Sequence, residues 1–150
     1  MGRRKLTATE VRTFLRGIPF NKLLGMDLVR LHADGITISC KVADQLRNKR
    51  GALHGGVSAT LADVAVGIAV HRHFGHGCAI ATTDLKINYF LPVTKGRLFA
   101  RSRLLRVGKT LCVGQVDLSD ERKQRVGMAV VTYILLSLAK ASRFESGVSF

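Results

Sequence analysis

Residues 54–74 read HGGVSATLADVAVGIAVHRHF, and the spacing within this stretch decides the fold. Val57, Leu61, Val64, Ala65, Ile68 and Ala69 recur at i, i+4, i+7, i+8, i+11 and i+12, one face of an α-helix. They predict a helix from about residue 56 to residue 74. Ala59, Val66, Gly67 and Val70 widen the stripe until the helix is apolar or small nearly all round, which marks a buried helix. Asp63 stands in its middle. A carboxylate there costs several kcal/mol unless it is paired or faces a polar cavity. Two readings stay open. Asp63 is bonded to backbone or to a basic partner at an oligomer interface, or it is a general base or nucleophile in a cleft. An ordinary aspartate is ionised at neutral pH and suits the second role.

Just upstream, His54-Gly55-Gly56 opens the helix. Free N–H groups at a helix N-terminus bind anions, and paired glycines let a ligand approach the backbone. An N–H placed there stabilises an oxyanion. The plainer reading is a flexible helix entry, with His54 bonded to backbone. Asn48, six residues before His54, is a second hydrogen-bond donor or an ordinary turn residue.

Outward from the helix, Thr7 and Glu10 have capping-box spacing for a helix over residues 8–17, with Val11, Phe14 and Leu15 on one face. Gly17 ends it, and Pro19 to Leu24 reads as a short second helical turn. Residues 26–32 and 35–43 are rich in β-branched residues, and Ala33-Asp34-Gly35 between them is a hairpin signal. Residues 44–53 read as a polar, basic loop. Strands are predicted over 78–91, 97–107, 110–119 and 125–138, the last three joined by short turns into an antiparallel meander. The tail, 140–150, reads as frayed. The pattern is α+β: one buried helix and about six mostly antiparallel strands curved around it, in a single domain over 1–150.

Charge points elsewhere at first. With 24 Lys and Arg against 10 Asp and Glu, the net charge is +14. Such a balance suggests nucleic acid or an anionic membrane. The excess is split, with +4 in residues 1–16, +3 in 41–50, +6 in 95–109 and +1 in 126–150. Aromatic residues are only 6% and Trp is absent, so no stacking platform for single strands is visible and nucleic acid is not expected as a partner. Residues 126–139 form the most apolar run, too short to span a bilayer. No secretory signal is apparent, and Leu6 breaks a myristoylation pattern at Met1-Gly2. Cys40, Cys78 and Cys112 each lie in an apolar run without C-x-x-C spacing, which predicts buried, reduced thiols in a cytoplasmic protein.

Other constellations fail as sites. Gly108-Lys109-Thr110 echoes the end of a P-loop, but Arg103 stands where a Gly is needed and a strand follows. His71, His73 and His76 match no metal-ligand spacing, so no metal is expected. No Gly-x-Ser-x-Gly is present.

The combination is more specific than its parts. Asn48, Gly51, His54-Gly55-Gly56-Val57, Leu61 and Asp63-x-Ala65-x-Gly67-x-Ala69 resemble the signature of hotdog-fold acyl-CoA thioesterases of the phenylacetate-pathway and 4-hydroxybenzoyl-CoA type. Thr82-x-Asp84-Leu85-x-Ile87-Asn88-Tyr89-x-x-Pro92, Gly108-Lys109-Thr110 and the entry from Pro19-Phe20 to Leu24-Gly25-Met26 resemble it too, so the likeness covers about residues 18–138. The resemblance implies a long helix wrapped by an antiparallel sheet, and a homodimer or homotetramer with sites between subunits. It implies hydrolysis of acyl-CoA to free acid and coenzyme A, with no cofactor. The Gly55 N–H and Asn48 would polarise the carbonyl. Asp63 would act as base or nucleophile, His54 would position the loop or thioester, and Thr82 or Thr83 would orient water. Gly56, Arg47, Lys49, Arg50, Arg106, Gly108 and Lys109 are the candidates for holding substrate and its phosphates. Val66, Val70 and Phe90 are expected in the pocket wall. The alternative is a non-catalytic acyl-CoA or nucleic-acid binder on the same scaffold.

Overall fold

Helix α1 (Ala8–Gly17) starts as its spacing predicts. The Thr7 hydroxyl accepts from the Glu10 N–H, and the Glu10 carboxylate accepts from the Thr7 N–H at 2.7 Å. In the computed structural model, which describes residues 4–75 and 77–136, a single turn, α2 (Pro19–Leu23), follows. The hairpin of β1 (Asp27–Leu31) and β2 (Ile36–Lys41) closes through His32 N–H to the Gly35 carbonyl at 3.0 Å. The basic loop contains one 3-10 turn, Asp44–Leu46. Then come α3 (Gly55–Phe74), β3 (Ala79–Tyr89), β4 (Arg97–Val107), β5 (Leu111–Ser119) and β6 (Arg125–Leu136).

The six strands form one antiparallel sheet in the order β1-β2-β4-β5-β6-β3. The predicted meander β4-β5-β6 is present. Strand β3 passes beyond it to pair with β6 at the sheet edge. Register shifts interrupt four of the five ladders, between Leu28 and Arg30, Thr82 and Asp84, Leu104 and Arg106, and Leu118 and Ser119. Bulges bend a strand and raise its twist. The sheet curves around α3, which touches β2, β3, β4, β5 and β6.

Helix α3 is buried as expected, with Leu61, Ala65, Ile68 and Ala69 in the core. Each fully enclosed leucine such as Leu61 contributes about 1.5–3 kcal/mol. Val64 departs from the predicted stripe and is only half-buried. Val66 and Val70 are fully enclosed, so they belong to the core and not to a pocket wall. Gly114 of β5 makes room for Val66; a Cβ there would sit 2.7 Å from its methyl carbons.

Strand β3 stops two residues before the predicted limit. The N–H groups of Phe90 and Leu91 both turn to the Val126 carbonyl, at 2.8 and 3.1 Å. Cys40 and Cys112 are buried, whereas Cys78 is half-exposed with its sulfur 3.1 Å from His71 Nδ1, which corrects the expectation of three buried thiols. Among the described residues, no helix is long and apolar enough to cross a membrane. The predicted tail 140–150, the last two residues of the sixth strand, His76 and Met1-Gly2 lie outside the described residues.

Candidate active site

Asp63 is half-buried on α3 and lines a cavity of about 360 Å³ together with Phe20, Val64, Ile68, Ile80 and Tyr133. Its Oδ1 accepts hydrogen bonds from Thr82 Oγ1 at 3.0 Å and from Tyr133 Oη at 2.7 Å. Thr82 and Tyr133 are register partners across β3 and β6, so one row of the sheet delivers both hydroxyls. The bulge after Thr82 turns the next residue away. Thr83 donates to the Thr132 carbonyl at 3.2 Å and does not touch Asp63. Between the two threonines, only Thr82 reaches the carboxylate.

Sequence reading missed Tyr133, which stands in an apolar run and carries no motif. A buried tyrosine hydroxyl normally finds a partner, and that is the signal it offered. Burial, and then the adjacent Asp63 charge, push its phenol well above the ordinary tyrosine value. Gly67 lies one turn beyond Asp63 on the same face of α3. A Cβ at Gly67 would sit 2.6 Å from Tyr133 Oη.

The start of α3 is a second polar focus. Helix N-termini leave backbone donors without intrahelical partners. His54 Nδ1 accepts from the Gly56 N–H at 2.9 Å, and the His54 carbonyl accepts from Val57 N–H at 2.9 Å and Ser58 N–H at 3.4 Å. The Gly55 N–H has no partner among the described residues. Gly56 is therefore occupied in capping rather than open to a ligand; a Cβ there would sit 3.0 Å from His54 Nδ1. Tyr89 Oη donates to the Gly55 carbonyl at 2.8 Å and braces the turn. Asn48 Oδ1 accepts from the N–H groups of Arg50 and Ala52, at 2.9 and 3.2 Å, which closes the loop and leaves its amide Nδ2 as a donor. Asn48, Gly55, Ser58, Tyr89 and Phe90 line a second cavity of about 320 Å³.

Asp63 follows Gly55 by eight residues, roughly 12 Å along the helix axis and about 80° around it. Within one chain, the free N–H and the carboxylate face different cavities.

The sequence profile of the thioesterase superfamily matches residues 50–126. The chain belongs to the thioesterase superfamily. It is a thioester hydrolase with the hotdog fold. The chain is similar to the medium/long-chain acyl-CoA thioesterase YigI of Escherichia coli, at 29% identity over 137 residues, covering 81% of this chain and 88% of the relative. It is similar to acyl-coenzyme A thioesterase 13 of Mus musculus, at 31% over 115 residues, covering 75% and 81%. Among solved structures, zebrafish thioesterase superfamily member 2 superposes with a TM-score of 0.78 at 25% identity, covering 87% of this chain and 99% of that one. A Haemophilus influenzae thioesterase shares the fold with a TM-score of 0.84 at 23% identity, covering 91% and 95%.

The basic candidates of this thioesterase separate into three kinds. Arg47 is a structural clamp. Its Nε donates to Asp44 Oδ1 at 3.0 Å and its Nη1 to the carbonyls of Gly51 and Thr94, at 2.6 and 2.7 Å, so its fork is already occupied. Lys49 and Arg50 are exposed beside Asn48, and their side chains make no ion pair among the described residues. Arg106 and Lys109 are exposed at the β4–β5 turn, where Gly108 N–H donates to the Leu111 carbonyl at 2.9 Å and shapes the turn. Val107 of that turn lines a cavity with Ala69, Arg72 and His73 of the last turns of α3. The turn therefore lies at the end of α3 opposite Gly55, and Arg106, Gly108 and Lys109 share no mouth with Gly55 in the same chain. Along β4, Arg101 pairs with Asp34, Arg103 with Asp117, and Arg97 bonds the Ser39 hydroxyl.

No group of three His, Cys, Asp or Glu suited to a metal occurs among the described residues. His73 is held below the ordinary histidine value by burial and by the Lys5 charge.

Proposed function

We propose that this thioesterase hydrolyses acyl-CoA to the free acid and coenzyme A. The observation that carries the reading is Asp63, a carboxylate held by two hydroxyls at the wall of an otherwise mainly apolar cavity. The names of the Escherichia coli and mouse relatives support the carrier, and the Escherichia coli name supports a medium or long aliphatic acyl group. The apolar lining suits such a chain. Lys49 and Arg50, beside Asn48, are the candidates for the coenzyme phosphates.

In this mechanism the thioester carbonyl accepts from the Gly55 N–H and the Asn48 amide of one subunit. The partner's helix supplies Asp63. The separation of roughly 12 Å along one helix favours such a shared site in a homodimer or homotetramer. As a base, Asp63 takes a proton from water while the oxygen attacks the carbonyl carbon; the tetrahedral intermediate then collapses, the C–S bond breaks, and the coenzyme A thiolate leaves and takes up the proton. As a nucleophile, its oxygen attacks directly, the thiolate leaves, and water then hydrolyses the mixed anhydride. Both routes place negative charge on the carbonyl oxygen, where the Gly55 donor and the helix dipole stabilise it. His54 positions the helix entry by capping it. No cofactor takes part, since coenzyme A belongs to the substrate. The three free thiols favour a reducing compartment, the cytoplasm.

A panel of acyl-CoA substrates, assayed by release of free thiol, tests the reading. Turnover that rises with aliphatic chain length and disappears in Asp63→Asn is expected. Undiminished turnover in that variant would remove Asp63 from the chemistry.

A further inference from the structure

We infer that Tyr133 is a positioning residue for Asp63: together with Thr82 it fixes Oδ1 and leaves Oδ2 as the oxygen that meets the reacting centre. The inference rests on the hydrolysis reading above.

The two carboxylate oxygens are not equivalent. Oδ1 receives the Tyr133 and Thr82 hydroxyls at 2.7 and 3.0 Å. Oδ2 accepts no hydrogen bond among the described residues, and Asp63 lines the cavity. An aspartate's terminal torsion is broad and roughly two-fold, so an untethered carboxylate swings freely. Two donors on one oxygen remove that freedom and set which oxygen is presented.

The donors are themselves fixed. Tyr133 is buried in β6 and Thr82 is its cross-strand partner in β3. On the helix side, Tyr133 Oη also lies 2.9 Å from the Asp63 carbonyl oxygen, so its one proton is shared between that carbonyl and Oδ1 of the same residue. Gly67 supplies the space: any side chain there would enter the phenol's position. A tyrosine serving only the core would be satisfied by the backbone carbonyl alone. Here the carboxylate contact is the shorter of the two. Burial beside the Asp63 charge keeps the phenol protonated, so it remains a donor through the neutral range.

Three variants test this. Tyr133→Phe keeps the ring and removes the donor; kcat should fall about tenfold to a hundredfold while KM stays within about twofold, the pattern of a misplaced reacting group. Thr82→Val, at an exposed position, should lower kcat in the same way. The double variant should lose less than the product of the single losses, because both donors hold one oxygen. Gly67→Ala should mimic Tyr133→Phe without removing any polar group, by pushing the phenol aside. Crystal structures of wild type and Tyr133→Phe should show the Asp63 carboxylate rotated or in two orientations in the variant. A Tyr133→Phe kcat within about twofold of wild type, with Asp63→Asn inactive, would overturn the inference and leave the hydrolysis reading intact. Full turnover in Asp63→Asn would remove Asp63 from the chemistry and the inference with it, whereas a wild type that releases no thiol from any acyl-CoA would overturn the hydrolysis reading. The carboxylate orientation in the crystals then decides the positioning role on its own.

Discussion

Asp63 and His54 show how one side chain's partners decide its use. Asp63 sits on an apolar helix, yet its charge meets two hydroxyls and an open cavity rather than a cation. Replacing it with Asn keeps the size and removes the acid–base and nucleophilic capacity. The expected loss in kcat is about a hundredfold to ten-thousandfold, with the circular dichroism spectrum unchanged. His54 is an N-cap, so its loss should register first in stability. His54→Ala should lower unfolding free energy by about 1 kcal/mol, and His54→Asn should restore it, as measured by chemical denaturation. If His54→Asn recovers stability but not turnover, the imidazole also contacts substrate.

Elements carry a different set of constraints. Where β5 passes over α3, Gly114 leaves space that Val66 fills. Gly114→Ala should destabilise the fold by about 1–3 kcal/mol through overpacking, readable as a lowered Tm. At α1, the capping box couples to pH. The Arg4 guanidinium, with the Thr7 backbone and hydroxyl, holds Glu10 at about 2, below its ordinary 4.5. A lowered carboxylate contributes its stabilisation fully above 4.5, and that contribution is lost as pH falls from 4.5 towards 2. Amide exchange at the start of α1 should therefore speed up across that window. In Thr7→Ala, which lacks the hydroxyl half of the box, the pH dependence should be weaker.

At the scale of the whole molecule, the free Gly55 N–H and Asp63 stand too far apart on one helix to act on one carbonyl. A shared site predicts complementation. Asn48→Ala and Asp63→Asn, each impaired alone, should recover activity when unfolded together and refolded as mixed dimers. Equal mixing yields one intact site in half the dimers, about a quarter of wild-type turnover. Activity no higher than the mean of the two variants would place the whole site within one chain.

Local physics made much of this legible from the amino-acid order. Helical periodicity marked α3, the Thr7 and Glu10 spacing marked the cap of α1, and Asp34-Gly35 marked the first hairpin. The carboxylate on α3 and the two glycines before it also stood out, since a buried charge and a bare helix entry are costly wherever the chain goes. What stayed hidden depends on which strands become neighbours. Strand β3 pairs with β6, which lies three strands later in the chain, and that pairing alone sets Tyr133 opposite Thr82 and turns Thr83 away. Arg47 read as a phosphate ligand until the fold carried Thr94 within its reach. The residues by themselves determined that a charged group lies on the central helix. Only the tertiary structure decided which hydroxyls hold it and which oxygen remains open, because hydrogen bonds between distant segments follow from strand register, and register is settled by packing.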